Sequence, residues 1–202
     1  MFIAFEGIDG SGKSTQAKLL AEYFLQQGKQ VELTAEPTKH GIGKMIRAAF
    51  AKEIKLQEST IAALFAADRL EHIQNQENGM LTHLNNGKIV ITDRYYFSSY
   101  AYHSVHVPMD WVIKSNSLAV NILKPTINFF IDIDPKVAME RIVATRTNIE
   151  IYETEENLIA VRNNYLKAFE LMAENEKIVF INGNQPQELV FKDVINSINN
   201  LQ

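Results

Sequence analysis

Gly7-Ile8-Asp9-Gly10-Ser11-Gly12-Lys13-Ser14-Thr15 decides how this chain folds. It follows the apolar run Phe2-Ile3-Ala4-Phe5 and leads into a helical pattern over residues 14–27, which stops before Gly28. The spacing is G-x-x-x-x-G-K-[ST], a phosphate-gripping loop when a strand precedes it and a helix follows. Glycines at 7, 10 and 12 let the backbone turn sharply, so that successive N–H groups converge on phosphate oxygens, and the positive end of the following helix adds its attraction. Lys13 supplies a point charge to the outer phosphates, and the Ser14 hydroxyl is placed to hold Mg²⁺. All nine residues, Gly7 to Thr15, are read as the segment that binds a nucleoside triphosphate.

Composition sets the frame around that loop. The chain has 202 residues, 46% of them hydrophobic and 22% charged, which suits one α/β domain spanning 1–202. A net charge of −4 gives no general attraction to nucleic acid or to an anionic membrane, so anionic ligands must be held by local clusters. There is no cysteine, which excludes disulfides and thiol chemistry. The apolar start lacks a basic leader and breaks at Glu6, and later apolar runs are too short to span a bilayer. A cytoplasmic protein is expected.

Short β-branched or aromatic runs at 2–6, 31–35, 88–92, 127–133 and 177–181 alternate with helical patterns at 14–27, 59–85, 110–122, 135–143, 157–175 and 187–199. This alternation predicts a three-layer α/β/α fold, a five-stranded parallel sheet surrounded by helices, with ligands beyond the carboxyl ends of the strands. The polar stretch 144–157 lies between two helical patterns and is the expected lid. Asp93-Arg94-Tyr95 closes the third strand. Its carboxylate can join Ser14 at Mg²⁺, and its arginine can clamp a phosphate with two parallel hydrogen bonds.

Taken in order, Phe5-Glu6-Gly7 through Thr15-Gln16, Glu36-Pro37, Leu64-Phe65-Ala66-Ala67-Asp68-Arg69, Asp93-Arg94-Tyr95, Ser98-Ser99-Tyr100-Ala101-Tyr102 and Leu123-Lys124-Pro125 resemble the motifs of thymidylate kinases. The likeness continues through Val161-Arg162-Asn163-Asn164-Tyr165-Leu166 and the Ile181-Asn182-Gly183 turn. It implies a Mg²⁺-dependent phosphotransferase acting on ATP and dTMP, working as a homodimer, with no nucleic-acid or membrane partner. Phe65 then stacks on thymine, and Arg69 donates to a thymine carbonyl. Arg94 grips the acceptor phosphate, Tyr102 excludes a ribose 2′-hydroxyl, Ser99 touches the base, and Pro37 walls the pocket. Asp9, inside the loop, matches a carboxylate near the acceptor sugar. An acid there would repel phosphate by itself, so it needs a compensating partner, Arg94 or Mg²⁺.

Two departures from the family pattern stand out. The loop carries Gly10 where some members place a catalytic arginine, so the arginine must come from the lid; yet the lid reads Glu150-Ile151-Tyr152-Glu153, with isoleucine at the usual arginine position. Arg146 is the expected substitute, ahead of Arg141 and Arg162. After Tyr102 comes His103-Ser104-Val105 in place of Gln-Gly-Gly, and His40, His72, His83, His103 and His106 are all expected at the surface. Three competing readings remain: a kinase for another nucleoside monophosphate, a deoxynucleoside kinase with Glu36 as its base, and a nucleotide-dependent switch with no acceptor.

Overall fold

Alternate residues of the first strand face opposite sides of the sheet, and both sides are apolar. In the computed structural model, which describes residues 1–145 and 154–200, β1 (Phe2–Glu6) points Phe2 and Ala4 into one core and Ile3 and Phe5 into another. β3 (Ile89–Asp93) and β4 (Ile127–Asp132) divide in the same way, as strands covered by helices on both faces must. With β2 (Val31–Ala35) and β5 (Ile178–Asn182) they form a five-stranded, all-parallel sheet in the order β2-β3-β1-β4-β5. The three-layer fold expected from the alternation is the one observed.

Helices α1 (Lys13–Gln26) and α9 (Gln187–Asn199) cover one face. The other face carries α3 (Glu58–Gln74), α4 (Met80–Asn85), α5 (Tyr96–His103), α6 (Met109–Ile122), α7 (Pro135–Thr145) and α8 (Glu155–Met172). α2 (Gly41–Phe50) packs on α3. In α1 the buried positions Gln16, Ala17, Leu20, Ala21 and Phe24 recur at helical spacing. Burying Leu20 and Phe24 contributes roughly 1.5–3 kcal/mol each, and this anchors the helix whose first turn ends the phosphate loop.

The structure corrects the predicted helix over 59–85. The Asn75 side chain accepts from the amides of Glu77 and Asn78 at 3.0 and 3.2 Å, turning the chain out of helix before α4 begins. Two helices have no counterpart in the sequence pattern. α2 carries Gly41 and Gly43, which read as breakers, and a β-carbon at Gly43 would lie 1.9 Å from the Thr38 carbonyl oxygen. α5 is buried at almost every position, so it shows no polar face by which to recognise it.

Because the strands run in register, Phe5 lies beside both Asp93 and Phe129, and Ala35 beside Asp93. The carboxyl ends of β2, β3 and β1 thus form one rim. β1, flanked by β3 and β4, is where the strand order reverses, the place where such sheets open a crevice.

Candidate active site

The loop from β1 to α1 requires glycine where its backbone turns left-handed. Gly10 has φ 77°, and a β-carbon there would lie 2.5 Å from the Ala138 carbonyl oxygen. Gly12 has φ 93° with nothing near its missing β-carbon, so the start of α1 lies open to a ligand. A cavity of about 640 Å³ lies over this loop. Three of its lining side chains, Ser11, Gln16 and Asp93, each have a buried polar atom with no partner among the described residues. A buried donor or acceptor left unsatisfied costs about 1–3 kcal/mol, so three at one cavity mark a place where a polar ligand restores the bonds. Lys13 is buried, its Nζ donating to the Ile8 carbonyl oxygen at 3.3 Å and lying 3.8 Å from Asp9. Burial, then the nearby Arg94 charge, lowers its pKa.

Ser14 and Asp93, named from opposite ends of the motif set, come together: the Ser14 hydroxyl donates to Asp93 Oδ2. Asp93 Oδ1 is the carboxylate's unpartnered oxygen. A hydroxyl and a bare carboxylate oxygen beside a phosphate loop are the hard donors that Mg²⁺ takes, so these residues fit the ion.

Arg94 is the centre of a second cluster of polar groups beside the loop. Its φ of 71° is unusual for a residue with a β-carbon and swings the side chain back across the loop. Nη2 donates to Asp9 Oδ1 at 2.6 Å and to the Tyr102 hydroxyl at 3.1 Å, while Nη1 donates to the Gly7 carbonyl oxygen and Ser98 Oγ at 3.3 and 3.2 Å. The Tyr102 hydroxyl donates to Asp9 Oδ2 at 3.0 Å, and the guanidinium lies 4.6 Å over the Tyr102 ring. Burial works against the Arg94 charge, but Tyr102 and Asp9 outweigh it and raise its pKa. The acid in the phosphate loop thus has its compensating partner in Arg94.

Phe65 and Arg69 lie four residues apart on α3. Phe65 is half-buried, its ring 4.8 Å from His103 and 6.0 Å from Phe50. Arg69 is fully buried and densely bonded: Nη2 lies 2.6 Å from Glu36 Oε2 and donates to the Tyr95 carbonyl oxygen, and Nη1 donates to Ser99 Oγ at 3.0 Å and to Asn116 Oδ1. Its Nε–H lacks a partner among the described residues. Glu36 Oε1 is 3.1 Å from His72 Nδ1, and His72 Nε2 is 2.7 Å from Thr34 Oγ1. Asp68 accepts from the Thr38 amide and hydroxyl at 2.7 and 2.6 Å, tying the Pro37 loop to α3. Pro37 and Ser14 line a second cavity of about 620 Å³ at the β2 end of the rim.

The histidine expectation is corrected at two positions. His72 and His103 are buried, the first held by Glu36 and Thr34, the second packed on Phe65. His40 and His106 are exposed, and His83 is partly covered beside Glu32. Burial, with Arg69 and then His106 nearby, pushes the His103 pKa down to about 3, so the ring is neutral at physiological pH.

Arg146, the expected lid arginine, lies outside the described residues, as does most of the 144–157 stretch. Its two ends are helical. Thr145 closes α7, and Thr154 caps α8 by accepting from the Asn157 amide at 3.2 Å, which starts that helix two residues before the predicted 157. Arg162 is occupied by Asp132 through two bonds of 2.7 and 2.8 Å. Arg141 lines the cavity over the phosphate loop and donates to the Gly183 carbonyl oxygen at 3.0 Å.

Three further residues complete the site: Asn116 lies outside the quoted motifs, and Glu36 and Glu6 lie within them. Asn116 and Glu36 bind Arg69, and Glu6 sits under the loop. Glu6 carried one signal: it is the charged residue that ends an otherwise apolar strand.

Known proteins resemble this chain over nearly its whole length. The sequence model of the family described as thymidylate kinase matches residues 5–194. A protein of Thermococcus kodakarensis named "Probable thymidylate kinase" is 41% identical over 210 aligned positions, covering 100% of this chain and 98% of its own. Another of that name, from Pyrococcus horikoshii, is 42% identical over 179 positions, covering 86% of this chain and 84% of its own. A third, from Methanococcus aeolicus, is 34% identical over 203 positions, covering 98% and 95%.

Proposed function

The chain belongs to the thymidylate kinase family, and on that footing we propose that it transfers the γ-phosphoryl group of ATP to the 5′-phosphate of dTMP, giving ADP and the dTDP that leads to dTTP for DNA synthesis. The observation that carries this is Asp9. It belongs to the phosphate loop and is bonded to Arg94 and Tyr102, so two anion sites, one for each nucleotide, meet at a single carboxylate.

The donor triphosphate lies along Gly7–Thr15, with Lys13 against its outer phosphates and the loop amides converging on them. Ser14 and Asp93 would hold Mg²⁺, which supplies charge neutralisation to the phosphates when bound. On the acceptor side Phe65 stacks on the base, and Arg69, with Ser99 beside it, reads a base carbonyl. Pro37 walls the pocket, and Tyr102 fills the space of a 2′-hydroxyl. Arg94 releases Asp9 and takes the acceptor phosphate, whose oxygen attacks the γ-phosphorus in line as ADP departs. Arg146 from the lid adds positive charge to the moving group. The acceptor is already an anionic nucleophile, so no base is needed, and catalysis is positioning plus electrostatics.

The deoxynucleoside-kinase alternative needs Glu36 as a free base. Glu36 is instead bound to Arg69 and His72 under the base pocket, which favours a phosphate acceptor. Pairing with a second copy belongs to the same proposal. Trp111 and Leu118, seven residues apart on α6, leave apolar surface facing outward. No helix among the described residues is long and apolar enough to cross a membrane, and the proposed setting is the cytoplasm.

The decisive assay is coupled ADP release from ATP and Mg²⁺ with each nucleoside monophosphate. Release that depends on dTMP is expected. Release indifferent to any acceptor would replace this reading with a nucleotide switch, and stimulation by another monophosphate alone would reassign the base.

A further inference from the structure

Beneath the two anion sites lies a buried carboxylate with no role in the chemistry above. Glu6 ends β1 and has no exposed surface. Its Oε1 accepts from the Tyr95 amide at 2.9 Å, and its Oε2 accepts from Ser98 Oγ at 2.5 Å and the Tyr165 hydroxyl at 3.0 Å. Every one of these contacts presents a donor, so the pocket fits an ionised acid. Burial pushes the pKa of Glu6 up, while Ser98, the Arg94 charge, Tyr165 and the Tyr95 amide pull against that shift.

Ser98 turns this into a directed chain. Its hydroxyl has one proton, which goes to Glu6, so a lone pair is left to accept from Arg94 Nη1 at 3.2 Å, beside the Tyr165 hydroxyl, whose oxygen lies 2.7 Å away. A serine bonded to a carboxylate is a better acceptor than a free one, because bonds in a chain polarise one another. The far side of the guanidinium is held by Asp9, which the acceptor phosphate must displace. Glu6 is not displaced by either nucleotide, since it lies below the loop. The left-handed backbone at Arg94 shows how strongly the surroundings determine this residue: its amide donates to the Phe5 carbonyl oxygen at 2.9 Å, and its own carbonyl oxygen accepts from Thr92 Oγ1 at 2.9 Å.

We propose that Glu6 is a positioning residue for the acceptor: acting through the Ser98 hydroxyl, its buried carboxylate keeps Arg94 aimed at the incoming monophosphate while Asp9 is exchanged for it. This rests on Arg94 being the acceptor clamp. It separates the two halves of the site at Glu6 and Ser98, which, unlike Arg94, do not line the cavity over the phosphate loop.

The test is equilibrium binding of dTMP and, separately, of ADP to the full-length protein by calorimetry. The variants are Glu6→Gln, Ser98→Ala, the double variant and Arg94→Ala, each checked for folding by its thermal transition. Losing one charge-assisted bond in the chain should weaken dTMP about tenfold in either single variant and leave ADP within about twofold. The double variant should be no weaker than Glu6→Gln by more than about twofold, since both remove one link of the same chain. Should Glu6→Gln fail to fold, Ser98→Ala carries the measurement alone, because Glu6 keeps Tyr95 and Tyr165. Unchanged dTMP affinity in Ser98→Ala overturns the proposal if Arg94→Ala still weakens dTMP. Equal losses for dTMP and ADP reduce Glu6 to a structural part of the loop. If Arg94→Ala leaves dTMP untouched, the clamp itself is misassigned, and the proposal falls with it.

Discussion

Lowering the pH from about 8 to about 5 should remove about 2 kcal/mol of stability through His103 alone. In the unfolded chain its imidazole takes a proton near 6.5, whereas in the folded protein burial, Arg69 and His106 hold the ring neutral down to about 3. Below 6.5 the unfolded state therefore binds a proton that the native state refuses, so stability is full above that pH and falls as the solution is acidified. The loss reaches about 2 kcal/mol at pH 5 and levels near 5 kcal/mol below pH 3, a shift of about 3.5 units at 1.36 kcal/mol each. The physical source is local: protonation would put a charge against the Phe65 ring, near a guanidinium that is itself buried.

Urea unfolding of the wild type and of His103→Gln at the two pH values isolates this group. The variant should lose about 2 kcal/mol less than the wild type between them. Other titrating groups cancel in that double difference. Glu6 is among them and acts in the opposite sense: its raised pKa makes the native state the stronger proton binder above the ordinary carboxylate range, so its contribution declines as pH rises. Parallel losses in both proteins, within about 0.5 kcal/mol, would show that the imidazole titrates as a solvated group and that the packing of His103 on Phe65 is wrong.

Three further outcomes are expected. Lys13→Ala should slow dTMP-dependent ADP release at least about a hundredfold, and a near-normal rate would remove the phosphate-loop assignment. Arg69→Ala leaves the buried Glu36 with His72 alone, so urea unfolding should report a loss of about 3–5 kcal/mol, and in protein that still folds KM should rise for dTMP more than for ATP. Arg146→Ala should slow single-turnover phosphoryl transfer with little change in dTMP or ADP affinity; if Arg141→Ala does so instead, the arginine that lines the loop cavity is the catalytic one.

The sheet was legible because its strands are short and apolar, and each run ends in a change of chemistry. The Ile89–Asp93 strand, for instance, is marked by Asp93-Arg94 at its close. The phosphate loop was legible because its backbone demands glycine, as the φ of Gly10 and Gly12 shows. The pairing of Asp9 with Arg94 could be anticipated from charge alone, since an isolated acid in that loop would repel its ligand. What escaped the sequence depends on contacts between distant segments. Glu36 binds Arg69 across 33 positions, Glu6 binds Tyr165 across 159, and neither spacing has a pattern to read. His103 looked like a surface residue because histidine usually is one; only α5, itself unreadable for want of a polar face, carries it under Phe65.

A protein with net charge −4 that handles two anionic nucleotides must concentrate its cations where they meet, yet Lys13 and Arg94 are surrounded by Asp9, Asp93 and Glu6. Asp9 and Asp93 weaken ground-state attraction for phosphate, so affinity is not what those two serve. Lys13 and Arg94 repel one another, and burial disfavours the charge of each; without acids between them neither would hold a fixed position. Phosphoryl transfer needs those charges already in place when the moving group arrives, because reorganising them at that moment adds to the barrier. In the proposed reaction Asp9 is exchanged for phosphate; Asp93 with Ser14 fits Mg²⁺, and Glu6 is too deep to be exchanged at all. Glu6 therefore stands apart from the other two: Asp9 and Asp93 are half-buried, and Glu6 has no exposed surface. Through Ser98 it backs the residue whose left-handed backbone and bonded amide already fix it, so the guanidinium proposed to take the acceptor phosphate is held from below.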